Sequence, residues 1–80
     1  MAKRRVRLFF PADKITEPVV YLMGKRFEVI TNIRGAEILA DSGWLYLEVT
    51  GDEDEIDRAV DWVIEQGIRV DPVEGDIIAG

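Results

Sequence analysis

An α+β fold, with a four-stranded antiparallel sheet carrying two helices on one face, is what this sequence predicts. Three observations predict it. Four stretches alternate in polarity, two others repeat apolar residues at helical spacing, and the six follow one another as β-α-β-β-α-β. Nothing in the eighty residues reads as a repeat, a linker or a low-complexity segment, so residues 1–80 are expected to form a single domain.

The first strand is "RRVRLFFP". Val6, Leu8 and Phe10 point one way and Arg5, Arg7 and Phe9 the other, until Pro11 stops the run. Thr16 is expected to cap the following helix, with Pro18 in its first turn, where a missing N–H costs nothing. Val19, Val20, Leu22, Met23 and Phe27 form the apolar stripe of that helix. Gly24 inside it costs about 1 kcal/mol against Ala, which suggests a backbone packed closely there.

A second strand runs from about Val29 to Leu39 and is interrupted by Asn32 and Gly35. A glycine inside a strand usually marks a bulge or a close approach by another backbone or a ligand. "ADSG" reads as a hairpin turn in which Gly43 takes a positive φ. In the third strand, "WLYLEVTG", Leu45, Leu47 and Val49 face inward and Trp44, Tyr46 and Glu48 outward. Asp52 and Glu55 have the spacing of a capping box, and the second helix buries Ile56, Ala59, Val60, Val63 and Ile64. Gly67 ends it at C′, "IRV" forms a short fourth strand closed by Pro72, and the tail "EGDIIAG" has no clear period.

Right-handed crossovers place both helices on the same face of the sheet. The result is the ferredoxin-like split-βαβ plan with spatial order 4-1-3-2. In that plan the second strand is an edge and one whole sheet face stays uncovered.

Composition narrows the function. Hydrophobic residues at 48% and charged ones at 32% fit a globular domain rather than a disordered chain. The absence of cysteine and histidine removes disulfides, thiolate nucleophiles, iron–sulfur clusters and the usual catalytic base and metal ligand. No phosphate-binding glycine loop or nucleophile elbow occurs either, so neither an enzyme nor a cofactor is expected. Asp52, Glu53, Asp54 and Glu55 are consecutive at a helix start and do not converge as calcium ligands do; they read as capping and solubility. No apolar run approaches the roughly 20 residues of a membrane span, and no signal peptide opens the chain, so the cytoplasm is the default. The net charge of -6 argues against a nucleic-acid partner. The basic opening "KRRVR" reads as charges on a solvated strand face.

The uncovered sheet face carries Phe9, Trp44 and Tyr46, flanked by Arg5, Arg7 and Arg69. Aromatics on the two central strands of this architecture are how an RNA-recognition motif stacks bases. The acidic composition favours the other reading, in which the rings pack on a second protein copy or on the C-terminal tail.

Phe10-Pro11, Pro18-Val19, Asn32-Ile33 followed by Ala36, Gly43 through "LEVTG", and Trp62 with "QGIRV" resemble the NIL domain. That family is the small regulatory domain at the C-terminus of methionine-importer ABC ATPases, and the resemblance covers about Val6 to Val73. Within the name motif the third position is Arg34, not Leu. There is no Walker A loop, so the chain is expected to be a free-standing copy that pumps nothing by itself. The cysteine-rich ferredoxin half fused to other members, which are linked to sulfur and homocysteine metabolism, does not occur in these residues either.

The resemblance implies binding of L-methionine or a related sulfur amino acid near the contact of two domains that pair through their sheets. Asn32 matches the asparagine implicated in ligand binding, with Ile33 and Gly35 beside it. Its amide offers both donor and acceptor to a zwitterion, and Gly35 lets a ligand or partner backbone approach. Asn32 satisfying only a local backbone group stays open. A homodimer is expected through Phe9, Trp44 and Tyr46 on the open face, or through the second-strand edge, which Arg34 and Glu37 guard. A transporter ATPase or a sulfur-metabolism enzyme is the further partner implied. An accessory protein that binds only protein is the alternative, and single-stranded RNA binding on the open face the third.

Overall fold

A computed structural model of the chain describes residues 1–14 and 17–73. Strand β1 (Ala2–Pro11) leads through a short 3-10 turn at Ala12–Lys14 to helix α1 (Val19–Arg26). The chain continues as β2 (Ile30–Ile38), β3 (Ser42–Gly51), α2 (Glu53–Glu65) and β4 (Arg69–Pro72). All pairings are antiparallel and the sheet order is β2-β3-β1-β4, the expected order read from the other edge. This is the ferredoxin-like α+β arrangement.

Cross-strand register explains the two faces. Val6 pairs with Leu47 and Leu8 with Leu45 and Val70, so these side chains share the helix side. There Val6, Leu8, Phe10, Leu47 and Val49 pack with Val19 and Met23 of α1 and Ile56, Ala59 and Val63 of α2, all buried. Each large aliphatic buried in this layer stabilises the fold by roughly 1.5–3 kcal/mol. The odd positions of β1 fall on the opposite face, where Arg5 pairs with Glu48, Arg7 with Tyr46 and Phe9 with Trp44. The basic opening run lies wholly inside β1, and Arg4, on the helix side, reaches Asp57 of α2 at 2.8 Å.

Several local expectations change. α1 begins at Val19, so Pro18 is the residue before the helix rather than in its first turn, and no side chain caps it. Pro18 still serves, because its carbonyl accepts the first helical bond from Leu22 N–H at 3.0 Å and no N–H is needed there. Thr16 lies outside the described residues, as does the tail from residue 74 on. Gly24 is exposed, and a Cβ there would meet nothing within 4 Å, so no backbone packs against it.

Asp52 takes the N-cap position of α2 but its side chain makes no cap bond, and the capping box does not form. A tertiary partner wins instead. Glu55 accepts the Glu28 N–H at 2.8 Å with one oxygen and Arg58 Nε at 3.0 Å with the other. Ile64 is half-exposed, because the buried stripe of α2 narrows to Ile56, Ala59 and Val63. Gly67 ends the helix as expected, with φ 89° and its N–H on the Ile64 carbonyl at 2.9 Å.

Gly43 is glycine for another reason than the turn. Among the described residues only Gly67 has a positive φ. A Cβ on Gly43 would lie 2.9 Å from Ile38 Cδ1 and 3.3 Å from the Glu37 carbonyl oxygen, so close approach, not turn geometry, favours glycine there. The hairpin closes on Leu39 N–H to the Ser42 carbonyl at 2.7 Å, around Ala40 and Asp41.

Gly24→Ala should raise stability by about 0.5–1 kcal/mol, since the helix gains propensity and the new methyl meets nothing. The urea midpoint measures it. A lowered midpoint would mean that something does pack on residue 24.

Candidate functional site

Among the described residues β2 pairs only with β3, which leaves its other side as a nine-residue free edge. Ile30 is 66% exposed, Ile33 53%, Ile38 59% and Leu39, just beyond the strand, 51%. A long edge with unpaired backbone groups and apolar side chains is a template for association.

The ladder explains the unusual composition of this strand. Ile33 pairs with Leu47 and the next pair is Gly35 with Tyr46, so Arg34 is the extra residue of a β-bulge. A Cβ on Gly35 would meet only Tyr46 Cβ at 3.8 Å, an ordinary contact. Packing within the chain therefore does not demand glycine there.

Register then sorts the candidate residues. Asn32 stands opposite Glu48, Gly35 opposite Tyr46 and Glu37 opposite Trp44, all on the open face. Ile33, opposite Leu47, lies on the helix side. The fold thus brings Asn32, Arg34 and Gly35 together and directs Ile33 away from them. Asn32 is exposed.

Glu48 is the residue that alternation alone undervalued. Read as merely outward, it is 8% exposed, because side chains from both neighbouring strands close over it. Arg5 Nε donates to its Oε2 at 3.0 Å and Arg34 Nη1 lies 3.7 Å from the same oxygen. The Arg5 hydrogen bond, aided by the charges of Lys3, Arg5 and Arg34, holds its carboxyl below the ordinary 4.5 despite the opposing effect of burial. Aligning Arg5 with Glu48 across β1 and β3 would have found the pair.

The aromatic residues are half-buried and carry the face's own cations. Arg7 sits over Trp44 at 5.2 Å and Tyr46 at 6.0 Å, and Arg69 over Phe9 at 5.3 Å. Trp44 Nε1–H donates to Glu37 Oε1 at 3.1 Å, and Arg69 pairs with Asp71 at 3.0 Å. A stacking base would have to displace a guanidinium from each ring. Among the described residues the face sets Lys3, Arg5, Arg7, Arg34 and Arg69 against Glu37, Glu48 and Asp71, a positive surplus on a chain of net charge -6. Among the described residues no group of Asp and Glu could hold a metal ion, and no helix is long and apolar enough to cross a membrane.

Because the carboxyl of Glu48 is depressed in the folded state, its contribution to stability is present above its unfolded value and is lost as pH falls through the folded one. Glu48→Gln should therefore lower the melting temperature at neutral pH, with the gap from wild type closing below pH 4.5. A gap independent of pH would show that the charge on Glu48 contributes nothing.

Comparison with known proteins places the chain. No curated protein matches it. Among solved structures, the C-terminal domain of an ABC transporter ATP-binding protein from Enterococcus faecalis is similar, with TM-score 0.79 and 20% identity over 90% of this chain and 84% of that one. The de novo designed protein Ferredog-Diesel aligns with TM-score 0.55 and 17% identity over 88% of this chain and 84% of that one. The designed protein Foldit4 aligns with TM-score 0.56 and 8% identity over 89% and 93%. At such identities these likenesses establish the fold alone. The sequence pattern of the NIL domain, however, matches residues 4–72, and the chain belongs to the NIL domain family.

Proposed function

We propose that this NIL domain is a non-enzymatic, cytoplasmic regulatory module that binds L-methionine or a related sulfur amino acid as a homodimer joined at the β2 edge. The observation that carries this reading is Asn32. It is an exposed amide on an edge that is unpaired among the described residues, beside a bulge and on the same face as the exposed aliphatic Ile30. The amide suits the polar head of an amino acid, Ile30 suits its side chain, and the exposed Ile33 and Ile38 suit a second copy. Membership of the NIL domain family supports a transporter ATPase as the protein it serves; a sulfur-metabolism enzyme is the other candidate.

The edge is favoured over the open face as the dimer contact. Two open faces brought together would oppose their positive surpluses, and their rings are already half-covered. The same exposed edge supports the second reading, an accessory protein that binds protein without a ligand.

Light scattering should find a dimer at high micromolar concentration, and Gly35→Pro should weaken it. A monomer removes the dimer, and an unaffected dimer moves the contact to Phe9, Trp44 and Tyr46.

Titration calorimetry should detect L-methionine binding, weaker binding of L-leucine and none of D-methionine, which misplaces the ammonium. An apolar site separates such side chains by only about 1–3 kcal/mol. Asn32→Ala should abolish binding and leave the melting temperature nearly unchanged, since the residue is exposed on an edge. No heat with millimolar L-methionine leaves the protein-binding reading in its place.

A further inference from the structure

Arg34 is the residue that the bulge removes from the ladder. A bulged residue has no cross-strand partner of its own, so its side chain is not committed to either row. Here it leans over the open face, where Nη1 comes to 3.7 Å from Glu48 Oε2. That oxygen already accepts Arg5 Nε at 3.0 Å, and 3.7 Å is beyond a hydrogen bond. Glu48 therefore orients Arg34 by charge without occupying its donors. The Arg34 side chain is 46% exposed, whereas that of Glu48 is 10% exposed. Asn32, two positions earlier, faces the same side directly opposite Glu48.

Local charge favours an anion. Lys3, Arg5 and Arg34 all act on Glu48, and the guanidinium of Arg34 stays half-exposed, so a second carboxylate brought to it from solvent is attracted. A planar guanidinium binds a carboxylate through two parallel hydrogen bonds, which a single amide cannot do.

The geometry points to Arg34 as the residue that binds the ligand's α-carboxylate, with Glu48 as the positioning residue that holds it over Asn32. This rests on the amino-acid-binding reading and deepens it. With the carboxylate on Arg34, the Asn32 amide oxygen is left to accept from the ammonium. The site then takes α-amino acids and rejects analogues that keep the amine and the thioether but lack the acid.

Calorimetry with L-methionine and L-methioninol, which lacks the carboxylate, tests the division of labour. Wild type should prefer L-methionine by about ten- to a hundredfold, the range expected for a charged hydrogen bond. Arg34→Leu should erase that preference by weakening L-methionine alone, and Arg34→Lys should retain part of it. Glu48→Gln should reduce the preference while leaving L-methioninol unchanged, which a merely structural role would not do. Preference intact in Arg34→Leu overturns the assignment. Equal binding of both ligands by wild type overturns it too, but leaves the amino-acid reading standing. If neither ligand binds, both fall. Thermal melts show which variants fold; should Arg34→Leu fail to, Arg34→Lys carries the comparison, and an unreduced preference there overturns the assignment.

Discussion

The pairing of β1 with β3 is the constraint on which the rest of the molecule depends. It runs unbroken from Ala2 opposite Gly51 to Pro11 opposite Ser42. Side chains alternate with a period of two, so a slip of one residue would drive Arg5 and Arg7 into the core and expose Leu8. Two buried glycines hold the ends of β3. Gly43 lies against Ile38, and a Cβ on Gly51 would stand 3.1 Å from the Glu28 carbonyl oxygen. Any slip places a side chain where the Glu37 and Glu28 carbonyl oxygens leave little room.

Once that register is set, the open face assembles by adjacency. Arg5 meets Glu48 and Arg7 meets the rings of Trp44 and Tyr46, while β4 brings Arg69 to Phe9. Among the described residues the rings shelter under guanidinium groups rather than under another element. A sheet face left bare by the topology is thus partly covered from within the sheet. The exposed aliphatics lie instead along β2, where they have no such cover among the described residues.

Much of this was legible in the residues. The alternation in β1 and β3 assigned Leu8, Leu47, Phe9 and Tyr46 to their correct faces, because period two is a property of the strand backbone itself. Asn32 and Gly35 stood out because they are poor strand formers, and a bulge lies between them. What local spacing could not show was competition between partners distant in sequence. Asp52 and Glu55 have the spacing of a capping box, yet Glu55 is taken by the Glu28 amide, which no pattern within α2 reveals. Gly43 and Gly24 were misread for the same reason: one looked like turn chemistry and is a tight contact, the other looked like a tight contact and faces open space. Glu48 looked like a solvated glutamate because its burial comes from side chains on two other strands.

The bulge in β2 also bears on solubility. Ile30, Ile33, Ala36 and Ile38 lie in one exposed strand, the kind of segment that stacks into cross-β fibrils when its register is regular and uncharged. The extra residue at Arg34 interrupts the strand's regular hydrogen-bonding ladder, so the edge is a poorer template for stacking identical strands. Arg34 and Glu37 add charge within the same window, as gatekeepers do around unavoidable hydrophobic strands. An edge that stays open for pairing is thereby kept from pairing without limit.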